Sequence, residues 1–138
     1  MISSAKLVNE EGKLQVALRT NDAEQELALP VKPGGCGSAL NGGELLFLAL
    51  AACYCNDIYR EAEKRGISVE QVEVEVQGEF AAVGEPARDV QYRARVCADA
   101  PEQQIRELMR HTDQVAEIHK SLRLGTPVLL ADMESISV

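Results

Sequence analysis

The residue best suited to chemistry in this sequence is Cys53, which ends an apolar run and begins a polar one. Eight apolar residues, 45–52, precede it, and Asp57 and Arg60 follow within two turns of a predicted helix. A cysteine attacks as its thiolate, and a free thiol titrates only near pH ~8.5. Asp57, one turn on, raises that pKa and Arg60 is two turns away, so a reactive thiol needs another cation, such as Arg19 or one from a second subunit. Without it, Cys53 is a packing residue at a helix–helix contact.

The other three cysteines are predicted to be free thiols that bind no metal. Cys36 lies in the glycine-rich loop 33–38, a tether from which its thiol could reach an oxidised Cys53. Cys55 points to the apolar side of the same helix, and Cys97 lies on the arginine-bearing face of a strand, so both are predicted to be fillers. The sequence has no C-x-x-C pair, and Cys53 and Cys55 point in nearly opposite directions on a helix. We therefore predict no metal site and no cofactor.

A second predicted helix places a histidine in its apolar stripe. Asp99 is the expected cap, and Pro101 lies in the first turn. The inward positions recur at helical spacing: Ile105, Leu108, Thr112, Val115, His119 and Leu122. His119 therefore faces the core, either as a packing residue or as a catalytic one, whereas His111 is predicted to lie on the surface.

The element that must position Cys53 is a predicted helix that begins at Asn41 and ends at Gly66. Asn41 and Glu44 have the spacing of a capping box, in which each side chain binds the backbone amide of the other residue. Lys64 suits the negative end of the helix dipole, and Gly66 can adopt the left-handed conformation that closes the last turn. The first half is apolar on every side, so it must be surrounded by sheet, by another helix or by a second subunit.

The rest of the sequence predicts strands around the two helices. Alternating apolar residues and turn signals predict strands at 3–8, 13–20, 25–31, 68–78, 88–98 and 128–138. Across the hairpin 68–98, glutamates of one strand are expected to face arginines of the other. The order β-β-β-α-β-β-α-β predicts an α+β fold. With 138 residues and no internal linker or repeat, the chain is predicted to form one domain, 1–138.

Charge and composition exclude several classes of partner. The net charge is -8 and no Lys/Arg cluster is present, which argues against nucleic acid and anionic membrane. The apolar run of the first helix is about half of the roughly 20 residues that a membrane span needs. Residues 1–6 contain no apolar segment of signal-peptide length, so we expect a cytoplasmic location.

Two stretches of the sequence resemble the osmotically inducible protein C and organic hydroperoxide resistance family, OsmC/Ohr. The run 44–53, ELLFLALAAC, is similar to that family's helix ending in Ala-Ala-Cys, and a Lys-Arg-Gly helix end and a Val-rich acidic strand follow it as in the family. Residues 116–122, AEIHKSL, with Gly125 and Val128 after them, are similar to the second family motif, Cys-Pro-Val-His-x-Thr-Leu. The order of elements agrees over nearly the whole chain.

The resemblance implies an intertwined homodimer with the long helices at its centre and two active sites at the subunit interface. In the family a cysteine thiolate attacks the peroxide O–O bond, becomes a sulfenic acid and condenses with a second cysteine. Cellular dithiols then reduce the disulfide. By position, Cys53 matches the attacking cysteine and His119 lies in the second motif, but Ala116 and Glu117 stand where the family has the second cysteine and proline.

The hydroperoxide-resistance branch also uses an arginine from the N-terminal region and a glutamate at the start of the central helix. These side chains bind the peroxide and stabilise the thiolate. Arg19, in a predicted strand, is the candidate for the arginine. The family's glutamate position falls on Gly43, so its neighbour Glu44 is either the site carboxylate or only the helix cap.

These observations support two hypotheses of different class. In the first, the chain is a thiol-dependent peroxidase in which Cys53 reduces an organic hydroperoxide, and an external thiol reductant or Cys36 resolves the sulfenic acid. In the second, it is an inactive homodimer that binds an apolar small molecule at the subunit interface, as Ala116 and Gly43 suggest. A third and weaker hypothesis is metal binding through thiols and His119.

Overall fold

The computed structural model describes all residues, 1–138, as five strands and three helices. In chain order these are β1 (Ser3–Glu10), β2 (Lys13–Thr20), β3 (Ala23–Glu26), α1 (Gly42–Lys64), β4 (Ser68–Glu79), β5 (Arg88–Asp99), α2 (Glu102–Val115) and α3 (Glu117–Arg123). Backbone contacts divide the chain into two units, Met1–Leu46 and Phe47–Val138, and α1 begins in the first and ends in the second. The predicted α+β class is confirmed. None of the helices combines the length and the apolar character that crossing a membrane requires.

The N-terminal unit is built on an antiparallel sheet in the order β1-β2-β3. Its half-buried positions alternate along β2 as the sequence pattern predicts: Leu14, Val16 and Leu18. The third strand is shorter than the predicted 25–31, since β3 ends at Glu26. Pro30 lies in the missing part, and because proline has no amide hydrogen it cannot extend the ladder.

Helix α1 begins and ends as the sequence predicts. The Asn41 Oδ1 accepts from the Glu44 amide and the Glu44 Oε2 accepts from the Asn41 amide, each at 2.8 Å, which completes the capping box. At the other end Gly66 has a φ of 64°, a conformation that glycine adopts without a steric cost. The Ile67 amide then donates to the Ala62 carbonyl at 3.0 Å and closes the last turn.

The second unit packs the hairpin β4–β5 and helix α2 against the second half of α1. The core consists of Tyr54, Ile58, Ala62, Ile67 and Leu108, and half-buried residues of both strands pack on it. Ile58 and Leu108 are fully buried, and each such side chain stabilises the fold by about 1.5–3 kcal/mol relative to exposure. This packing turns the face of α1 that carries Tyr54 toward the hairpin and α2.

The predicted pairing of β4 with β5 is confirmed, with glutamates of one strand opposite arginines of the other. Val72 pairs with Val96 and Val74 with Ala94 on the inner face. On the outer face the acidic and basic positions alternate in register: Glu73 with Arg95, and Glu75 with Arg93. Opposite charges directly across an antiparallel pair stabilise this register over a one-residue slip.

The start of α2 differs from the prediction. The helix begins at Glu102 directly after Pro101, and no side chain caps it. Asp99, the expected cap, is instead the last residue of β5 and pairs with Ser68. β5 continues one residue further than the predicted strand 88–98, and it therefore includes Asp99, which was predicted to cap the helix.

The single helix predicted after Pro101 is two helices in the structure. The chain leaves helical geometry at Ala116, with φ -62° and ψ 115°, and α3 begins at Glu117. One turn earlier the Thr112 hydroxyl donates to the Leu108 carbonyl at 2.8 Å, a type of bond that often bends helices. Helical spacing of apolar residues continues across the break, which is why the sequence pattern did not reveal it.

The predicted last strand, 128–138, is not a strand in the structure. The residues after α3 make no sheet pairing, and their large apolar side chains are exposed: Val128, Leu129, Leu130, Met133, Ile136 and Val138. A strand needs a neighbour to satisfy its backbone N–H and C=O groups, and neither sheet of the chain extends to this segment. The apolar pattern was correctly recognised, but it has no partner strand here.

Candidate functional site

Cys53 is half-buried on α1, beside the beginning of α3. Its thiol contacts two carboxylates, with Sγ 3.7 Å from the Asp57 Oδ2 and 3.9 Å from the Glu117 Oε2. Asp57 comes from the next turn of α1, and Glu117 is the first residue of α3, directly after the break at Ala116. Sequence reasoning identified Asp57 as a neighbour but missed Glu117, because that contact joins residues 64 positions apart.

Arg60 binds both carboxylates that contact the thiol. Its Nη1 lies 2.8 Å from the Asp57 Oδ1 and 3.4 Å from the Glu117 Oε1. Each carboxylate therefore offers one oxygen to the guanidinium and the other to the thiol. Arg60 is two turns from Cys53 along the helix, so spacing alone did not place it at the thiol, but its long side chain reaches the two carboxylates that contact the sulfur.

The environment of Cys53 favours the protonated thiol. Burial is the largest cause that raises its pKa, and the charges of Asp57 and Glu117 add to it. The backbone amides of Ile118 and Glu117 lower the pKa in part. A reactive cysteine of the usual kind has a depressed pKa beside a cation, so Cys53 departs from that pattern.

The two carboxyl groups beside the thiol have unequal proton affinities. Burial raises the pKa of Asp57, and the nearby Glu117 charge raises it further against the opposing effect of Arg60. The pKa of Glu117 is lowered, since its own backbone amide, Asp57 and Arg60 all stabilise its charged form. The side chain of Asp57 is 6% exposed and that of Glu117 is 61% exposed. A proton taken up by the pair therefore resides on Asp57.

One turn beyond Asp57, Glu61 is also buried but is surrounded by cations. Its carboxylate lies 3.1 Å from Arg60, 2.8 Å from Lys64, 3.5 Å from Arg65 and 3.2 Å from the His111 Nε2. Hydrogen bonds from Lys64 and Arg60 lower its pKa to about 2. The side chain of His111, predicted to lie on the surface, is 41% exposed, and its Nε2 contacts this carboxylate.

His119 faces the core as predicted, with 4% of its surface exposed. Its ring lies between Tyr54 and Tyr92, with ring centroids 6.1 Å and 4.9 Å away. Neither ring nitrogen has a hydrogen-bond partner in the chain. Burial is the main cause that lowers the pKa of His119, Arg123 acts in the same direction, and Asp113 opposes it. The ring thus packs between the two tyrosines in surroundings that favour its neutral form, and its catalytic role stays a prediction.

Three predicted site residues belong to the N-terminal unit. Arg19 lies on β2 and pairs with Glu24 at 2.6 Å, and both side chains are more than half exposed. Glu44 is engaged in the capping box, which confirms the structural half of its two interpretations. Cys36 is an exposed free thiol. Their roles in the chemistry of Cys53 stay predictions.

The contacts of Cys53 also define a set of possible metal ligands. Its Sγ and one oxygen each of Asp57 and Glu117 lie within 4.8 Å of one another, and zinc accepts sulfur and carboxylate ligands. Arg60 already supplies a positive charge to both carboxylates, and a metal ion bound there would be repelled by it. His119, the histidine of the weaker metal hypothesis, does not belong to this set.

The family of the chain follows from its sequence. A sequence model described as OsmC-like protein matches residues 35–130, a stretch that includes Cys53, Arg60 and Glu117. The chain belongs to the OsmC-like family. No functionally curated protein matches its sequence significantly.

Solved structures of other OsmC-like proteins have the same fold. An OsmC-like protein from Mycoplasma pneumoniae is 15% identical, with a TM-score of 0.67 over 89% of this chain and 88% of that one. An organic hydroperoxide resistance protein OsmC from Legionella pneumophila is 21% identical, with a TM-score of 0.57 over 89% and 90%. The organic hydroperoxide resistance protein OhrB of Bacillus subtilis is 13% identical, with a TM-score of 0.54 over 89% and 91%. At these identities the likeness concerns the fold.

Proposed function

We propose that this OsmC-like protein reduces organic hydroperoxides through Cys53. The observation that carries the proposal is a half-buried thiol in contact with two carboxylates, at the end of the helix motif of the family. Proteins of the same fold from Legionella pneumophila and Bacillus subtilis are described as organic hydroperoxide resistance proteins, which supports this choice of substrate.

The proposed first step oxidises the sulfur by two electrons. The Cys53 sulfur forms a bond to the distal peroxide oxygen, the O–O bond breaks, and the thiol proton ends on the departing alkoxide. The products are a sulfenic acid on Cys53 and an alcohol. A sulfenic acid is reversible and condenses readily with a second thiol.

The second step requires a thiol other than the family's resolving cysteine. Ala116 is fully buried and offers no sulfur, so the resolving cysteine of the family is absent. We propose that a small external thiol condenses with the sulfenic acid and releases water. A second molecule of that thiol then reduces the mixed disulfide and regenerates Cys53. Cys36 is the alternative resolving thiol, and a cytoplasmic homodimer is the proposed working form.

The proposal is tested with cumene hydroperoxide and an excess of a small thiol in a stopped-flow assay. We expect wild-type protein to consume the peroxide, and Cys53→Ser to lose nearly all of this activity. Cys97→Ser is the matched control, because Cys97 lies on β5 in contact with Gln71 and should leave the rate unchanged. Equal rates for wild type and Cys53→Ser would rule the function out.

A second candidate function is binding of an apolar small molecule without catalysis. The raised pKa of Cys53 and the buried Ala116 favour it, since both reduce the competence of the thiol cycle. Peptide mass spectrometry after mild peroxide treatment separates the two functions. Fast and selective oxidation of Cys53 supports the peroxidase, whereas slow oxidation of all four cysteines supports the binding protein.

A further inference from the structure

The surroundings of Cys53 contain a proton acceptor and a cation that the family motifs do not assign. The inference rests on the proposed function and adds residues to that same site. All of these residues lie in the second unit: Cys53, Asp57 and Arg60 on α1, and Glu117 at the start of α3. Their contacts are therefore formed within one compact part of one chain.

We propose that the Asp57–Glu117 pair, held by Arg60, takes the thiol proton of Cys53 during attack on the peroxide and returns it to the departing alkoxide. Asp57 and Glu117 each turn one oxygen toward Sγ, at 3.7 Å and 3.9 Å. Their other oxygens bind the Arg60 Nη1 at 2.8 Å and 3.4 Å. The guanidinium thus keeps two like charges close together with their free oxygens directed at the sulfur.

The proton balance of this step closes within the site. As Sγ bonds to the distal oxygen, its proton moves to the pair and resides on the buried Asp57. The O–O bond breaks, and the alkoxide takes that proton from Asp57, which restores both carboxylates. The sulfur has lost two electrons and the peroxide has become an alcohol. A base this close substitutes for the preformed thiolate that the anionic surroundings disfavour.

Glu117 and Arg60 have different parts in this arrangement. Glu117 offers the second oxygen to the sulfur, and its charge increases the basicity of Asp57. Arg60 does not contact the thiol, so it is a positioning residue that acts through the two carboxylates. Its role explains how an OsmC-like site can work while Glu44 is engaged in a helix cap.

The test compares two reactions of Cys53 in the same variants, Asp57→Asn and Glu117→Gln. Removing a carboxylate lowers the pKa of the thiol, so alkylation of Cys53 by iodoacetamide at pH 7.5, followed by peptide mass spectrometry, should become about 3- to 10-fold faster. Removing a proton acceptor slows the coupled step, so reduction of cumene hydroperoxide should become about 10-fold slower or more. A purely electrostatic effect would accelerate both reactions. The opposite signs are the signature of proton transfer.

Matched variants complete the experiment. Glu63→Gln removes an exposed carboxylate from the same helix and should change neither rate. Arg60→Gln should slow peroxide reduction, and Arg60→Lys should restore part of it because a cation remains. Glu117 is mostly exposed, so Glu117→Gln is expected to fold even if Asp57→Asn is destabilised.

Three results would overturn the inference, and they separate failure of the proton-transfer role from failure of the function. If wild type is active but both carboxylate variants reduce peroxide at least as fast, the function stands and the proton-transfer role is wrong. If wild type is no faster than Cys53→Ser, the function is wrong and the role falls with it. If native mass spectrometry finds a stoichiometric metal ion that Glu117→Gln loses, the carboxylates belong to a metal site instead.

Discussion

Two carboxylates one turn apart on α1 are equally buried and yet hold their protons very differently. Asp57 and Glu61 are each 4% exposed. Asp57 has a thiol and a second carboxylate beside it, and its pKa is raised. Glu61 is surrounded by cationic side chains, and its pKa is lowered to about 2. Equal exposure therefore does not give equal proton affinity, because Glu61 has several cations beside it whereas Asp57 shares one cation with a second carboxylate.

The comparison also separates a site that stabilises the fold from one suited to chemistry. A buried carboxylate with several cations stays charged throughout the physiological range and contributes to stability. A buried carboxylate with another carboxylate and one shared cation can accept a proton near the thiol. Arg60 contacts both groups, so it links the stabilising cluster to the candidate site. The predictions below test each side of this difference.

The largest effect on stability is expected from Glu61→Gln. The substitution keeps the shape of the side chain but leaves Arg60, Lys64 and Arg65 without their common partner. Breaking a buried ion pair costs about 3–5 kcal/mol, and because these cations are largely solvated we expect about 2 kcal/mol. Urea unfolding at pH 7 measures it, with Glu63→Gln as the control. If Glu61→Gln lowers the unfolding free energy no more than Glu63→Gln does, the cations around Glu61 do not stabilise the fold.

The stabilisation by Glu61 should disappear in acid. Its folded pKa of about 2 lies below the unfolded value near ~4.3, so its contribution is complete above the unfolded value and is lost as the pH falls toward 2. The difference in unfolding free energy between wild type and Glu61→Gln should therefore shrink between pH 5 and pH 2. Urea unfolding curves at four or five pH values measure it. A difference that is constant over this range would show that the loss is one of packing.

His119 is a third buried group, and it has neither cations nor carboxylates as hydrogen-bond partners. Its folded pKa is lowered, so the stability linked to it is complete above the unfolded value near ~6.5 and is lost as the pH falls below that value. His119→Phe keeps the aromatic packing against Tyr54 and Tyr92 and removes two unpaired nitrogens. Urea unfolding should show a smaller loss of unfolding free energy between pH 7 and pH 5 in His119→Phe than in wild type. Equal losses of unfolding free energy in the two proteins would show that His119 binds its proton as readily in the folded protein as in the unfolded chain, which contradicts the lowered pKa.

Local chemistry explains why much of the fold could be predicted. The capping box of Asn41 and Glu44 and the glycine at position 66 depend on neighbouring residues, and both were recognised. Alternation predicted the hairpin and its glutamate and arginine faces, and the structure adds the register, with Glu73 opposite Arg95. The missing final strand at 128–138 has the right pattern, but pairing depends on a neighbour that the pattern does not contain.

Only the part of the candidate site that lies close together on α1 was predictable from the sequence. Cys53 was identified from the apolar run and the family motif, and Asp57 from helical spacing. Glu117 was not, because it reaches the thiol through a helix break at Ala116 that helical periodicity does not show. Arg60 was judged by its distance along the helix, whereas the length of its side chain and the position of Glu117 decide its contacts.

The smallest effect on stability, and the most direct check of the comparison, is expected from Asp57→Asn. Because the folded pKa of Asp57 is raised, its carboxylate is less favourable in the folded protein than in the unfolded chain above the unfolded pKa near ~3.9. Replacing it removes that cost while it also removes one contact with the partly exposed Arg60. The two effects oppose each other, so urea unfolding at pH 7 should show a change within about 0.5 kcal/mol. A loss as large as that of Glu61→Gln would mean that Asp57 is also a stabilising ion-pair residue, and its assignment to proton transfer would lose its physical basis.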